Sequence, residues 1–213
     1  WSAFISMLRH RFPEQYAKNK SSTISPMVAV GRYLKAIHPG CVTVFIGPCI
    51  AKKGETLNPY IENRPDYAIT FGEMASLLES RNIDLTPVEE SYQESSLHGK
   101  KFAASGGVAA AVLQAMREMG EDTSGISLLT CAGGAECKKA LTMLKAGTLK
   151  EDFIEGMMCP GGCVGGPFRI EVEAIVNRDR KNLLSNADNR GVLENLRNYP
   201  MDQFSMYRDG HMD

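Results

Sequence analysis

The stretch VTVFIGPC, residues 42–49, carries the clearest fold signal of this chain. Residues 42–46 form an unbroken run of β-branched and aromatic side chains, which predicts a strand buried on both faces. The run ends at Gly47-Pro48, a pair that marks a loop. The sequence therefore places the thiol of Cys49 just after the end of a predicted buried strand.

The alternation of strand, loop and helix continues along the chain. Thr70 and Glu73 have the spacing of a capping box, which predicts that a helix starts there, with Met74, Leu77 and Leu78 on one face. Such alternation predicts an α/β fold with helices covering parallel strands, whose ligands bind outside the carboxyl ends of the strands. The other predicted elements are strands at residues 67–69, 101–104 and 126–130 and helices at residues 108–119 and 134–146.

The two ends of the chain have a different character. Residues 4–12 and 26–37 read as amphipathic helices separated by a polar segment. After Pro167 the sequence becomes more polar, with a strand-like stretch at residues 170–176 and a helix-like stretch at residues 192–199. We expect a single domain over residues 1–213, in which residues 168–213 form a peripheral extension without chemistry of its own.

Composition and charge exclude several classes of protein. The chain has 213 residues and a formal net charge of -1, which gives it no electrostatic reason to bind nucleic acid or an anionic membrane. No apolar stretch reaches the roughly 20 residues of a membrane span, and no signal peptide is recognisable. We therefore expect a cytoplasmic protein. Its six cysteines are too sparse for a disulfide scaffold, and in a reducing compartment clustered thiols more often bind metal.

The sharpest local motif is CPGGC, residues 159–163, within EGMMCPGGCVGGP, residues 155–167. Cys159 and Cys163 can converge because the glycines between them, Gly162 included, accept positive φ and let the backbone approach a bulky inorganic group. Such a loop suits an iron–sulfur cluster, whose cysteines arrive from several directions. The alternative is a pair of buried thiols in a glycine-rich turn.

The second motif is GPCIAKKGE, residues 47–55, directly after the predicted strand. Pro48 holds Cys49 at the strand end, and a lysine within one turn can offset the charge of its thiolate. For Lys53, the start of a solvated helix is an equally good interpretation. The two motifs together supply three thiolates, whereas an ordinary cubane has four cysteine ligands.

These two motifs resemble the signatures of a known family. GPCIAKKGE resembles the second signature of the catalytic domain found in [FeFe]-hydrogenase (iron-only hydrogenase) large subunits, and EGMMCPGGCVGGP resembles the third. Between them, residues 66–70 and 102–108 are similar to the intervening strand–helix units of that family. The resemblance extends from about Phe4 to Pro167 and implies a two-lobed α/β domain with parallel sheets flanked by helices.

The resemblance also implies a cofactor, the H-cluster, which is a [4Fe-4S] cluster on four cysteines linked to a diiron subsite. By position, Cys49 and Cys159 match cubane ligands, and Cys163 matches the cysteine that bridges to the diiron subsite. Cys49 would come from a strand end and the other two from a loop at the junction of the lobes. Pro48 and Gly162 belong to the same binding loops.

Three further residues match family positions around the diiron subsite. Lys52 matches a lysine that donates to a diiron cyanide, Glu55 a glutamate that supports it, and Met157 a methionine packed against the diiron unit. The implied function is reversible conversion of protons and electrons to dihydrogen, by an enzyme or a hydrogen sensor. The implied partners are a ferredoxin-like electron donor or acceptor, or an N-terminal iron–sulfur domain, and the hydrogenase maturation proteins.

Some positions depart from the family pattern. The first family signature, Cys-Cys-Pro before an aromatic residue, should fall immediately upstream of Phe4, where this sequence has Trp1-Ser2-Ala3. Gly47 replaces a methionine, and Met27 replaces a glutamine that is common in the family. These departures imply a divergent, sensory-type member that is inactive as the chain stands. The rival interpretation is a non-catalytic iron–sulfur protein for assembly or signalling, which would need none of the three residues matched to the diiron surroundings.

The remaining cysteines have a simpler interpretation. Cys131 and Cys137 flank a predicted helix start with a spacing that suits neither a zinc ribbon nor a ferredoxin, and Cys41 stands alone. Free cysteine is among the most buried residue types. We therefore expect these three thiols to be structural.

Overall fold

Two pairs of parallel strands, one in each half of the chain, organise the fold. A computed structural model describes residues 2–84, 96–197, 199 and 203–208. Strand β1 (Val44–Ile46) pairs with β2 (Tyr67–Ile69), and β3 (Leu128–Ala132) pairs with β4 (Phe153–Met157), each pair in parallel. Parallel neighbours need a crossover, and helices supply it here. The predicted α/β fold with parallel sheets flanked by helices is confirmed.

Helices precede, connect and follow the strand pairs in the described part of the chain. Three helices precede β1. One helix, at Ala51–Thr56, lies between β1 and β2, and another, at Gly134–Lys145, connects β3 to β4. A 3₁₀ turn at Cys163–Gly165 follows β4. The helices are α1 (Ser2–Arg11), α2 (Pro13–Asn19), α3 (Pro26–Ile37), α4 (Ala51–Thr56), α5 (Phe71–Ser80), α6 (Leu97–Lys101), α7 (Gly107–Glu118), α8 (Gly134–Lys145), α9 (Glu173–Ser185) and α10 (Val192–Leu196).

Two helix starts follow directly from local sequence. The hydroxyl of Ser25 accepts a hydrogen bond from the backbone N–H of Val28, and Pro26 occupies the first turn of α3. At the start of α5, Glu73 N–H donates to the Thr70 hydroxyl, and the Glu73 carboxylate accepts from Thr70 N–H. The predicted capping box is therefore confirmed.

Helix α7 starts with help from a distant residue. Its N-cap, Gly106, has a φ of 82° and no side chain that could accept the first backbone N–H groups. Glu155 from β4 supplies that acceptor, because its Oε1 accepts from Gly106 N–H and its Oε2 from Ala109 N–H, each at 2.7 Å. The carboxylate is buried, and its charge suits the positive end of the helix dipole.

We expect Glu155→Ala to lower the free energy of unfolding by about 2–3 kcal/mol, because two charge-assisted bonds and the cap of α7 are lost together. Chemical denaturation followed by circular dichroism measures the change. Glu136→Ala is the matched control, since exposed Glu136 also accepts from one backbone N–H, that of Ala132 at 2.8 Å, and should change stability by less than about 1 kcal/mol. Equal effects in the two variants would contradict a capping role for Glu155.

Much of the hydrophobic interior in the described part of the chain lies in two clusters. The larger one joins α1 and α2 to β3 and α8, and the smaller one lies under α3. Cys131 and Cys137, 2% and 0% exposed, belong to the larger cluster, which agrees with their predicted structural role. The larger cluster contains Phe4, Leu8, Phe12, Tyr16, Cys131, Cys137, Ala140 and Leu141, and the smaller contains Ile24, Met27, Val28 and Ile61.

The prediction that residues 42–46 are buried on both faces is wrong. Val42, Val44 and Ile46 are 68%, 48% and 42% exposed, and Tyr67, the neighbour of Val44 on β2, is 62% exposed. The physical reason is that β1 has only β2 beside it in the described part of the chain, and the side of the pair that carries these residues is uncovered. An unbroken apolar run therefore identified the strand but not its environment.

Other elements differ from their predictions. Residues 101–104 end α6 and form a turn instead of a strand, because Ala104 N–H bonds to Lys101 O at 2.9 Å. The stretch at residues 170–176 was predicted as a strand, but α9 begins within it, at Glu173. Strand β3 begins two residues later than predicted. Helix α2 and strand β4 were not predicted. Leu77, on the predicted apolar face of α5, is 50% exposed.

The segment after residue 167 packs along the helices. Thr23 and Tyr207 form an antiparallel bridge, and the Arg32 guanidinium donates to the carbonyls of Ser205 and Tyr207. Earlier in the same segment, the first backbone N–H groups of α10, those of Val192 and Leu193, donate to the carboxylate of Glu118 in α7. That residues 168–213 form a peripheral extension of the domain stays a prediction.

Asp66 ties the start of β2 to the start of β1. Its carboxylate accepts from the backbone N–H and hydroxyl of Thr43, and from the Lys35 ammonium at 2.9 Å. The Thr43 N–H, followed by the bond from Lys35, lowers the pKa of Asp66 to about 2.

A lowered pKa means that Asp66 stabilises the fold above its ordinary pKa of 3.8, and that this contribution is lost as pH falls through about 2. We expect Asp66→Asn to lower the free energy of unfolding by about 1 kcal/mol at neutral pH, after allowance for the partial exposure of the pair. Urea denaturation between neutral pH and pH 2 tests this. A difference that persists undiminished at pH 2 would contradict it.

Candidate functional site

The two cysteine motifs meet where the turn after β1 contacts the loop after β4. Phe168 N–H donates to the carbonyl of Pro48 at 3.2 Å. A Cβ on Gly166 would lie 2.5 Å from the same carbonyl oxygen, so only glycine fits at this contact. Cys49, which follows Pro48, is thereby brought to the side of the loop that contains Cys159 and Cys163.

The CPGGC loop is shaped by its glycines in two ways. Gly161 and Gly162 have φ values of 74° and 102°, a region that favours glycine, as the motif predicted. A Cβ on Gly162 would also lie 2.6 Å from Ser105 N, while Ser105 N–H donates to Gly161 O at 3.3 Å. The tight approach at Gly162 is therefore to the backbone of the turn before α7.

The three thiols affect one another electrostatically. Burial, followed by the charge of Cys49, raises the pKa of the Cys159 thiol. Burial likewise raises the pKa of Cys163, where the charges of Cys49 and Cys159 add to the rise and that of Lys52 opposes it. All three are free thiols, partly buried, from two different loops. Both raised values mean that metal must displace protons from Cys159 and Cys163 in order to bind.

No group of three or more histidine, cysteine, aspartate or glutamate side chains in the described residues is placed to hold a single metal ion. A cluster makes a different demand, because each of its irons is bound by its own cysteine and the sulfurs stand apart around the inorganic core. The three partly buried thiols come from two different loops, and cysteine is the residue type that binds such clusters.

Lys52 and Glu55 form a buried ion pair on α4, one turn after Cys49. Lys52 Nζ lies 2.5 Å from Glu55 Oε2, and the two side chains are 11% and 8% exposed. Lys53 points elsewhere and pairs with Glu73, where both side chains are more exposed. Of the two adjacent lysines, only Lys52 is withdrawn from solvent.

Two serines complete the surroundings of Glu55. The hydroxyls of Ser2 and Ser25 donate to Glu55 Oε2 at 2.9 and 3.0 Å, and Lys52 Nζ also donates to Ser25 at 3.0 Å. Burial alone would raise the pKa of Glu55, but Lys52 and the hydrogen bonds lower it below its ordinary value. Sequence reasoning missed both serines; the Ser25-Pro26 pair, typical of a helix start, was the available signal for one of them.

Met157 is buried next to one cysteine motif, and a cavity lies beside the two serines. Met157 ends β4, two residues before Cys159, and is 1% exposed. A cavity of about 400 Å³ has Ser2 and Ser25 in its wall, together with Glu155 and the apolar side chains of Phe4 and Leu141. The serines therefore lie between this cavity and the Lys52–Glu55 pair. No helix in the described ranges is both long and apolar enough to cross a membrane.

Comparison with known proteins identifies hydrogenases as the relatives of this chain. Residues 2–167 match the family "Iron only hydrogenase large subunit, C-terminal domain". The chain is 26% identical to iron hydrogenase 1 of Clostridium pasteurianum, with 76% of the chain and 36% of that protein covered. It is 27% identical to the NADP-reducing hydrogenase subunit HndD of Solidesulfovibrio fructosivorans, with 76% and 35% covered. The chain thus spans little more than a third of these relatives.

Solved structures give the same answer for the fold. A variant of apo [FeFe]-hydrogenase HydA1 from Chlamydomonas reinhardtii superimposes with a TM-score of 0.68 at 21% identity, covering 99% of this chain and 71% of that one. An [FeFe]-hydrogenase solved to follow stepwise H-cluster assembly gives a TM-score of 0.66 at 21% identity, covering 98% and 71%. At such identities the likeness concerns the fold.

Proposed function

Because the chain belongs to the family of C-terminal domains of iron-only hydrogenase large subunits, we propose that it is a hydrogen-activating oxidoreductase domain. In this proposal it catalyses or senses the reversible conversion of protons and electrons to dihydrogen at a [4Fe-4S] cluster linked to a diiron subsite. Electrons come from a ferredoxin-like partner or an N-terminal iron–sulfur domain, maturation proteins deliver the diiron subsite, and the protein acts in the cytoplasm.

The observation that carries the proposal is the contact between the Pro48 turn and the Gly166 loop, which brings together two loops that contain three thiols, Cys49 in one and Cys159 and Cys163 in the other. A buried ammonium, that of Lys52, opposes the rise that burial causes in the pKa of the Cys163 thiol. Thiolates with a nearby cation are the donor set of an iron–sulfur group. The residues present therefore fit the cofactor implied by the family.

We propose that Cys49, Cys159 and Cys163 would hold the cubane, that Cys163 would also hold the diiron subsite, and that Pro48 and Gly162 shape their loops. When bound, this cofactor supplies electron storage and the iron position at which dihydrogen is made or split. The protein contributes orientation, exclusion of water and electrostatics.

The other residues proposed for the site provide a positive charge near the cofactor and keep water away from it. Lys52, of whose three N–H groups two are bonded to protein acceptors, keeps one donor for a negatively charged ligand of the subsite. Glu55 holds that ammonium in place. Met157, buried at the end of β4, fills space beside Cys159 and keeps water out. A bare cubane would need neither the buried ion pair nor the methionine, which favours the hydrogenase interpretation over a non-catalytic iron–sulfur protein.

Anaerobic reconstitution with iron and sulfide tests the proposal on two polypeptides, the chain of 213 residues and the same chain with Cys-Cys-Pro added before Trp1. The added cysteines would stand a few residues before Ser2, whose hydroxyl donates to Glu55. We expect labile, partial cluster binding and no hydrogen evolution in the first polypeptide. The second, supplied with a diiron complex, should show infrared bands of iron-bound carbon monoxide and cyanide.

The outcomes separate the candidate functions. A stable cubane in the second polypeptide without carbon monoxide or cyanide bands would favour the non-catalytic iron–sulfur protein. If neither polypeptide takes up iron, the thiols are inert and the proposed function is wrong. Equal hydrogen evolution in the two would contradict the assignment of the fourth ligand to the added segment.

A further inference from the structure

The Glu55 carboxylate is bonded in a strongly one-sided way. Its Oε2 accepts three hydrogen bonds, from Ser2 at 2.9 Å, Ser25 at 3.0 Å and Lys52 at 2.5 Å. Its Oε1 is buried and has no partner within the described ranges of the chain. A free carboxylate has no reason to prefer one oxygen, so the surroundings of Glu55 must fix its orientation.

The three donors come from three different helices. Ser2 opens α1, Lys52 belongs to α4, and Ser25 is the N-cap of α3. Ser25 is itself fixed, because its hydroxyl accepts from Val28 N–H at 3.4 Å. The start of α3 therefore provides a rigid reference point, and the start of α1 provides a second one.

Lys52 receives its position from these contacts. A lysine side chain is flexible when it is in water, but that of Lys52 is only 11% exposed. Its ammonium donates to Glu55 Oε2 at 2.5 Å and to the Ser25 hydroxyl at 3.0 Å. The ammonium has three N–H donors, and two bonds define the direction of the third. Removing either serine would free the carboxylate to turn, and the ammonium would follow it.

We infer that Ser2 and Ser25 are positioning residues for Lys52, which they hold through the one-sided hydrogen bonding of Glu55. The inference rests on the proposed function, in which the third N–H of Lys52 donates to the bound cofactor, and it deepens that function by assigning two serines from outside both cysteine motifs. Each serine acts through another residue and touches no reacting atom.

The first test uses the 213-residue chain without iron. An ordered, hydrogen-bonded lysine ammonium gives a resolved ¹H–¹⁵N signal, whereas a mobile, solvated one does not. We expect a Lys52 signal in the wild-type chain, identified by its absence in Lys52→Arg, and its loss in both Ser2→Ala and Ser25→Ala. Ser6→Ala is the matched control, since Ser6 lies on the same helix as Ser2 but is exposed and should leave the signal unchanged.

Conservative variants separate positioning from general stability. Ser25→Ala removes a helix cap and could loosen α3, but Ser2→Ala removes no cap, and its amide spectrum should match that of the wild type outside the site. Ser2→Thr and Ser25→Thr keep the hydroxyl and should restore the Lys52 signal. A Lys52 signal in Ser2→Ala as strong as in Ser6→Ala would overturn the inference.

The second test measures the midpoint potential of the reconstituted cubane in the same variants. A positive charge nearby favours the reduced cluster, so displacement of the Lys52 ammonium should make the potential more negative in Ser2→Ala and Ser25→Ala, as in Lys52→Gln, but not in Ser6→Ala. Unchanged potentials in both serine variants, with a shift in Lys52→Gln, would overturn the inference alone. Failure of both the wild-type chain and its Cys-Cys-Pro extension to bind iron would overturn the proposed function, and the ammonium signal would still decide whether the serines place Lys52.

Discussion

Replacing Cys163 by serine is expected to remove most of the iron that the chain binds in anaerobic reconstitution. Cys163 is one of the three proposed ligands and lies in the loop whose Gly166 closely approaches the carbonyl of Pro48, the residue next to Cys49 in the sequence. Loss of residues that merely support metal ligands lowers affinity by about 10–100-fold, and loss of a ligand should do at least as much. Iron and acid-labile sulfide per chain, with the visible absorption of the cluster, measure the effect.

Cys41→Ser is the control for the Cys163→Ser variant. Cys41 is also a partly buried free thiol, but its Sγ donates to the carbonyl of Leu34, and it belongs to neither cysteine motif. We expect Cys41→Ser to bind as much iron as the wild-type chain. If the two variants lose iron equally, the binding is a general property of the thiols, and the assigned ligands are wrong.

Replacing Lys52 by methionine is expected to lower the free energy of unfolding by about 3–5 kcal/mol, the range measured when one partner of a buried ion pair is removed. The reason is that Glu55, with a side chain only 8% exposed, would keep its charge without the ammonium that offsets it. Denaturation of the iron-free chain measures the loss.

The effect of Lys52→Met should depend on pH. In the variant, burial would raise the pKa of Glu55, so the carboxyl would take up a proton and the penalty would shrink as pH falls through that raised value. Lys53→Met is the matched control, because its pair with Glu73 is partly exposed and should contribute little to stability. The double variant Lys52→Met, Glu55→Met should recover much of the loss. A Lys52→Met chain as stable as the Lys53→Met chain would contradict the buried charge.

The elements that local sequence could predict are those with local causes. The helix starts at Ser25-Pro26 and at Thr70 depend on residues within one turn, and the structure has both. The proximity of the two cysteine motifs was accessible only through the family resemblance, because no local pattern states which loops meet.

The errors concern elements whose state depends on distant partners. Strand β4 was missed because its sequence, FIEGM at Phe153–Met157, contains a glutamate that looks unsuited to a strand interior. Glu155 is buried there only because the start of α7, far away in sequence, needs an acceptor. Exposure of β1 could not be read from its apolar run either, since burial depends on what covers the strand.

The candidate site shows the same division. Lys52 and Glu55 stand three residues apart, so their meeting on one helix face was open to prediction. Ser2 and Ser25 reach Glu55 from residues far away in sequence, and serine is too common and too often exposed for its type alone to indicate such a contact.

The composition of the larger hydrophobic cluster affects how the chain folds while it is being synthesised. Phe4 and Leu8 of α1 belong to the same cluster as Cys137 and Leu141 of α8, so the apolar side chains of α1 are not fully covered until α8 has been synthesised. The smaller cluster, Ile24 to Ile61, is complete much sooner. Because synthesis proceeds at about 5–20 residues per second, α1 stays exposed for several seconds, long enough for a chaperone to bind it.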